Sequence, residues 1–253
     1  MKLCCLSTAS GPALGAVTDA GILDVAAAAK ATGRSDLALD PAGFLHRGSE
    51  LLDPLRDLIE AAEGPWLEDA PWAPAVLSPR KILCVGLNYR RHAQEAGKAE
   101  PSEPVLFAKF ENALAPHGAV VDVAGLGKVD FEAELAVVIG RRGKHLREAD
   151  ALDHVLGYAT ANDVSERDLQ KRSGQWLLGK TVDGFLPLGP YLVTADDVPD
   201  PQALRIRGWL NEDLRQDSDT RDMIFSVREI LAYASRTMTL LPGDLLLTGT
   251  PEG

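Results

Sequence analysis

The chain has 253 residues, 45% of them hydrophobic and 25% charged, a balance that suits a globular protein with a sizeable core. Its formal net charge of -11, with no cluster of Lys and Arg, excludes the electrostatic footprint of a nucleic-acid binder. No run approaches ~18 apolar residues and no basic region precedes a long apolar one at the N-terminus, so neither a membrane span nor a secretory signal is indicated. The expected location is the cytoplasm.

In chain order, weak strand patterns in "AVTDAGILDVA" and a helical stretch in "ELLDPLRDLIEAAE" precede the proline-rich run "GPWLEDAPWAPAVLSPR". Pro65, Pro71, Pro74 and Pro79 each interrupt a helix or a ladder, so residues 1–77 read as a small N-terminal α+β domain ending in a linker. From residue 78 to 253 strand-like runs dominate: "KILCVGLNY", "PVLFAKF", "AVVDVAG", "DFEAELAVVIG", "HVLGYATAND", "PLGPYLVT", "LRIRGWLNED" and "GDLLLTGTP". Helices are expected over "RRHAQEAGK", ended by Gly97, over "SERDLQKRS" and over "SVREILAYASRTM". The regular alternation of a doubly wound sheet is missing, which makes the fold class strand-dominated α+β.

Three cysteines, Cys4, Cys5 and Cys84, form no disulfide framework, and Cys84 inside "ILCVG" reads as a core residue. "AGLGKV" lacks the spacing of a phosphate loop, and His46, His117, His145 and His154 have no metal-ligand spacing.

The stretch "VDFEAELAVVIG" carries the most chemistry. If residues 130 to 139 form one strand, Asp130, Glu132 and Glu134 share a face, and Phe131, Ala133, Leu135, Val137 and Ile139 share the other. Two carboxylates roughly 7 Å apart repel by about 2 kcal/mol at an effective dielectric of ~20. The pattern suits either a charged edge strand or a site for a hard divalent cation, which prefers carboxylate oxygens held in fixed directions. Asp163, at the end of "GYATAND", is a candidate third acid; Ser165 and Asp168 resemble a capping box opening a helix, although Asn162-Asp163 also suits a plain turn. Lys180, behind "WLLG", suits the mouth of an apolar pocket or an ordinary surface. His92 and Glu95, spaced i, i+3, can hydrogen-bond on one helical face as a general-base pair or as an exposed pair.

The segments "CVGLNYRRHAQEAG", "EPVLFAKF", "DFEAELAVVIG", "GYATANDVSERDLQ", "GQWLLGKTVDGF" and "LLPGDLLLTGTPEG", in that order across residues 81 to 253, together resemble the fumarylacetoacetate hydrolase family. The resemblance implies a catalytic domain of mixed β-roll type, a homodimer, and a Mg²⁺ or Mn²⁺ site that Ca²⁺ could also fill in crystals. It assigns the metal to Glu132, Glu134 and Asp163, with Asp130 behind them. It gives His92 and Glu95 the role of the family's helical His and Glu, Lys180 that of its GK lysine, and Gln170 and Thr250 that of substrate-positioning residues. Family members usually continue past the segment matching "GTPEG", so the roll's closing strand and part of a dimer surface are expected to be missing from a sequence that stops at Gly253.

The activity this implies is catabolic hydrolysis of a carbon-carbon bond in an acylpyruvate or related 2,4-dioxo acid. The metal would grip the small anionic 2-oxo acid and supply the positive charge that the acidic chain otherwise lacks. Decarboxylation of an oxaloacetate-type acid or isomerisation of a hydroxymuconate-type diacid would use the same residues. A non-catalytic 2-oxo-acid binder would gain little from the His-Glu pair.

Overall fold

The computed structural model describes residues 1–67 and 70–253. The chain opens with strands β1 (Lys2–Thr8), β2 (Gly11–Thr18) and β3 (Gly21–Asp24), then helices α1 (Val25–Ala31), α2 (Pro41–Arg47) and α3 (Leu52–Ala61) and the short strand β4 (Trp66–Leu67). Asp24 and Asp40 cap α1 and α2 by accepting from the backbone N–H groups of Ala27 and Gly43. The second half of "AVTDAGILDVA" is therefore split: Asp24 ends a strand and starts a helix.

β5 (Ile82–Gly86), α4 (Arg90–Glu95), β6 (Val105–Lys109) and β7 (Leu114–Ala115) follow, then β8 (Val129–Asp130), β9 (Ala133–Ile139), β10 (Val155–Asn162), β11 (Ser165–Glu166), α5 (Arg167–Arg172) and α6 (Leu177–Lys180). The chain continues through β12 (Leu186–Pro187), β13 (Tyr191–Thr194), the hairpin β14 (Arg205–Leu210) and β15 (Asp213–Asp219), α7 (Val227–Ser235) and β16 (Leu245–Leu247). Helix α7 begins with a capping box, in which Ser226 accepts from the Glu229 N–H and the Glu229 carboxylate accepts from the Ser226 N–H.

Ten strands form one mixed sheet in the order β4-β3-β2-β1-β13-β10-β9-β16-β5-β6. β16 runs parallel to β5 and antiparallel to β9, so β9 and β16 are both interior strands. Alternate residues of the central strands enter different cores. Ala136, Val138, Leu245, Leu247, Ile82 and Cys84 pack with Val25, Ala29, Phe44, Leu45, Leu55 and Leu58 of the N-terminal helices. Val137, Ile139, Leu246, Leu83 and Val85 pack with Val227, Ile230, Leu231 and Ala234 of α7. Burial on both faces accounts for the unbroken apolar runs "LAVVI" and "LLL".

Residues before position 78 thus share a sheet and a core with those after it. β1 pairs with β13 over Lys2–Cys4, and the Ser7 and Ala73 N–H groups bond to the carbonyls of Pro71 and Cys5, so residues 71–73 of the proline-rich run continue along β1 where β13 stops.

Two expectations need correction. "AVVDVAG" forms no strand; Val120 is 98% exposed and among the described residues no strand pairs with the segment. The strand expected from Asp130 onward is broken at Phe131 and Glu132. Val129–Asp130 pairs with Ser165–Glu166 in a separate two-stranded sheet, and the main-sheet strand begins at Ala133. Local side-chain bonds replace the ladder there: the Phe131 N–H donates to Asp130 Oδ1 at 3.0 Å and the Glu132 N–H to Asn162 Oδ1 at 2.9 Å.

Candidate functional site: a buried carboxylate triad under a basic cleft

The break in the acidic strand turns Glu132 toward the end of β10. The Asp163 N–H donates to the Glu132 carbonyl at 2.9 Å, locking the "ND" turn onto the acidic segment. Glu134, two residues on, pairs in β9 with Ala161 of β10. One oxygen each from Glu132, Glu134 and Asp163 lies within 4.8 Å of the others, and all three residues are buried. Carboxylates that converge away from water must be compensated.

Three cations do much of that work. Lys180 Nζ donates at 2.7 Å to Glu132 Oε2 and at 2.7 Å to Asp163 Oδ2. Lys109 Nζ donates at 2.5 Å to Asp163 Oδ1 and at 3.1 Å to the Val164 carbonyl. Arg167 reaches Glu132 Oε1 at 2.7 Å, Asp130 Oδ2 at 2.6 Å and Gln170 Oε1 at 3.0 Å. Lys180 has its pKa pushed up because Glu132 and Asp163 outweigh the opposing effect of its burial, so it stays an ammonium. Glu132 is buried too, but Lys180 and Arg167 beside it hold its carboxyl below the usual range.

Glu134 differs. Among the described residues its carboxylate accepts one hydrogen bond, from the Gly249 N–H to Oε2 at 2.7 Å, and no cation pairs with it. Burial, and then the charges of Asp163 and Glu132, push its pKa well above the ordinary value. Four acids, counting Asp130, thus face three cations. An all-oxygen set one positive charge short suits a hard divalent ion, so these residues fit the metal that the family resemblance implied.

Above the triad is a cavity of about 300 Å³, lined by Glu132, Arg167, Gln170, Lys180, His92 and Thr250 among others. His92 Nδ1 lies 3.3 Å from Glu95 Oε2; the imidazole is 28% exposed and the carboxylate 51%. Helix α4 is aimed by the turn before it, where Leu87 takes a positive φ of 54° and also lines the cavity. Asn88 holds that turn: its amide donates to the carbonyls of Phe225 and Thr248 and accepts from the Phe225 N–H. Trp176 and Phe107 form an aromatic wall, with centroids 5.2 Å apart. A Cβ on Gly86 would lie 2.5 Å from the Trp176 ring, so glycine is what lets that indole seat.

Glu132, Glu134 and Asp163 thus form the triad, His92, Lys180, Gln170 and Thr250 line its cavity, Glu95 lies beside His92, Asp130 meets the site through Arg167, and Asp168 pairs with Lys128 at the surface. Two details differ. Helix α5 is capped by Glu166, whose carboxylate accepts from the Leu169 N–H, and Ser165 instead donates to the Asp163 carbonyl, because Ser165 is still paired in β11. The Thr250 hydroxyl donates to the Ala133 carbonyl at 3.0 Å and accepts from Gln216 Nε2, so it also braces the start of β9. Lys109 and Arg167 were missed. The available signal was a lysine inside the apolar run "PVLFAKF", and an arginine among the acids of "SERD" whose pairing only the fold reveals.

The profile described as fumarylacetoacetate (FAA) hydrolase C-terminal matches residues 81–253. The chain belongs to the fumarylacetoacetate hydrolase family. It is 43% identical over 214 residues to the rat mitochondrial oxaloacetate tautomerase Fahd2a, a match covering 83% of this chain and 68% of that protein. The whole chain also superimposes on 89% of maleylpyruvate hydrolase from Sphingobium sp. SYK-6, solved with manganese(II) and pyruvate, with a TM-score of 0.80 and 31% identity. It covers 88% of 5-carboxymethyl-2-hydroxymuconate delta-isomerase from Mycobacterium smegmatis with a TM-score of 0.77, again at 31% identity. The strand-dominated α+β fold is that of the family, and the chain is one of its enzymes.

Proposed function

We propose that the protein is a divalent-metal-dependent hydrolase that cleaves a carbon-carbon bond of an acylpyruvate or related 2,4-dioxo acid. The observation that carries the reading is the convergence of Glu132, Glu134 and Asp163 beneath a cavity that His92 also lines. Glu132, Glu134 and Asp163 would hold Mg²⁺ or Mn²⁺, which when bound would supply Lewis-acid positive charge for the 2-oxo-acid end of the substrate. The manganese and pyruvate of the maleylpyruvate hydrolase neighbour support that choice.

The chain's own groups account for the remaining steps. His92, oriented by Glu95, takes a proton from water as the oxygen attacks the 4-carbonyl. Collapse of the tetrahedral adduct breaks the C3–C4 bond, releases the acyl half as a carboxylate, and leaves an electron pair on C3 that delocalises toward the 2-oxo oxygen. Lys180, held as an ammonium, stabilises that charge. Protonation at C3 gives pyruvate. Gln170 and Thr250 position the substrate, and Trp176 and Phe107 limit water at the reacting end.

Proton transfer at C3 of oxaloacetate is a second reading, favoured by the 43% identity to the rat tautomerase. It needs the same chelate and the same His92, but no attacking water. Incubation with Mg²⁺ and a panel of acylpyruvates and oxaloacetate separates the two readings. Pyruvate release from acylpyruvates, lost on treatment with a chelator, is expected for the hydrolase. Enol-keto exchange of oxaloacetate without acylpyruvate cleavage would replace it with the tautomerase, and no turnover of either would remove both.

A further inference from the structure

The hairpin of β14 and β15 is a two-stranded sheet apart from the ten-stranded one, and its burial is the reverse of the usual pattern. Trp209, Leu210 and Leu214 are exposed, whereas the polar Gln216 and Ser218 are buried. A side-chain amide taken out of water is costly unless it is bonded.

Gln216 makes three bonds. Its Oε1 accepts from the Ala133 N–H at 2.9 Å, and its Nε2 donates to the Thr250 hydroxyl at 2.8 Å and to the Pro251 carbonyl at 3.0 Å. Turning the amide over would set donor against donor and acceptor against acceptor, so its partners fix its orientation. The Thr250 hydroxyl in turn donates to the Ala133 carbonyl at 3.0 Å, which closes a ring from Ala133 through Gln216 and Thr250 back to Ala133.

That ring grips both peptide groups of the residue between Glu132 and Glu134. The Ala133 N–H belongs to the peptide that joins it to Glu132, and its carbonyl to the peptide that joins it to Glu134. The two dihedrals between those planes set the relative aim of the two carboxylates. On that side of β9 the neighbouring strand β16 pairs only from Ala136 to Val138, so side chains continue the ladder where it stops. Gly208 leaves room for the amide: it pairs with Gln216 across the hairpin, beside a bulge, and a Cβ there would lie 2.9 Å from Gln216 Oε1.

We infer that Gln216 is a positioning residue for the metal site, which fixes the angle between Glu132 and Glu134 and couples it to Thr250 in the cavity. The inference rests on the reading of the triad as a divalent-metal site. It makes the hairpin a working part of that site, although Gln216 stands 83 positions from Ala133.

The test is calorimetric titration of the folded, chelator-treated protein with Mn²⁺, with urea unfolding alongside. Gln216→Met keeps the length of the side chain and removes all three bonds, and Mn²⁺ affinity is expected to fall about tenfold. Gly208→Ala keeps the amide but crowds its oxygen, so affinity falls in the same direction by less; this variant decides the question if Gln216→Met does not fold. Ser218→Ala, which removes a buried hydroxyl with no hydrogen bond among the described residues, leaves affinity as it is. Because Gln216 and Thr250 close one ring, Thr250→Val also lowers affinity, and the double variant Gln216→Met, Thr250→Val loses no more than the larger single loss. A purely structural role would lower the unfolding midpoint while the folded variants bound Mn²⁺ as the parent does. That result, or additive losses in the double variant, overturns the inference and leaves the metal reading standing. A parent protein that binds no Mn²⁺ removes both.

Discussion

The floor and the rim of the cleft use charge in opposite ways. On the floor Glu132, Asp163, Lys109 and Lys180 are all buried, and each has a partner at 2.7 Å or closer. At the rim His92 and Glu95 are partly exposed and share one bond of 3.3 Å. Buried charges are held by mutual need, because removing one strands another away from water. Rim charges cost little to move, which is what a proton carrier needs. Substitutions on the floor should therefore register first in stability and metal affinity, and those at the rim in turnover.

The largest effect is expected for Asp163→Ala, which strands Lys109 and Lys180 together. Breaking a buried ion network from one side costs roughly 3–5 kcal/mol, so denaturant unfolding should shift by that amount and metal-dependent activity should vanish. A loss below about 1 kcal/mol would mean that the floor is not the buried network described.

His92→Ala should lower kcat by about 10²–10⁴ with a change in unfolding midpoint near zero, because in the proposed reaction the imidazole carries a proton at a partly exposed site. Glu95→Gln should give a smaller loss of the same kind. An activity loss matched by a stability loss would erase the distinction between rim and floor.

Glu134→Gln sharpens the comparison within the floor. Glu134 is the acid without a cation, so the amide relieves a buried charge, and the metal-free protein should be equally stable or firmer by about 1 kcal/mol while metal affinity falls. Glu132→Gln should do the reverse to stability, since Lys180 and Arg167 lose a partner. Calorimetric titration with Mn²⁺ and urea unfolding of the chelator-treated variants read both quantities.

The smallest effect is expected for Gly86→Ala, where the new methyl meets the Trp176 ring. Overpacking of this kind costs about 1–3 kcal/mol when backbone must move, and less here because the indole is partly exposed. KM should rise more than kcat falls, and the change should be visible in steady-state kinetics.

Much of this was legible in the order of residues. The strands beyond residue 80 are short apolar runs between glycine, proline and acidic punctuation, and the local period alone marks them. The three acids of the floor were legible as well, because like charges on alternate residues beside a buried run need a reason. The break at Phe131 and Glu132 was hidden. It depends on Asn162, thirty residues on, offering its side-chain oxygen to a backbone N–H that a continuous strand would have given to a neighbour. Lys109 and Arg167 were hidden for a related reason: what commits them is the acids they meet, and those acids lie on distant segments of the chain.

Residue order thus set the local conformations, the sites of the acids and the family, since each depends on groups a few positions apart or on motifs in series. The single shared sheet, the three cations around the triad and the lack, among the described residues, of a cation beside Glu134 came from tertiary pairing. Burial and Coulomb energy depend on distance in space, and a linear pattern does not contain that distance.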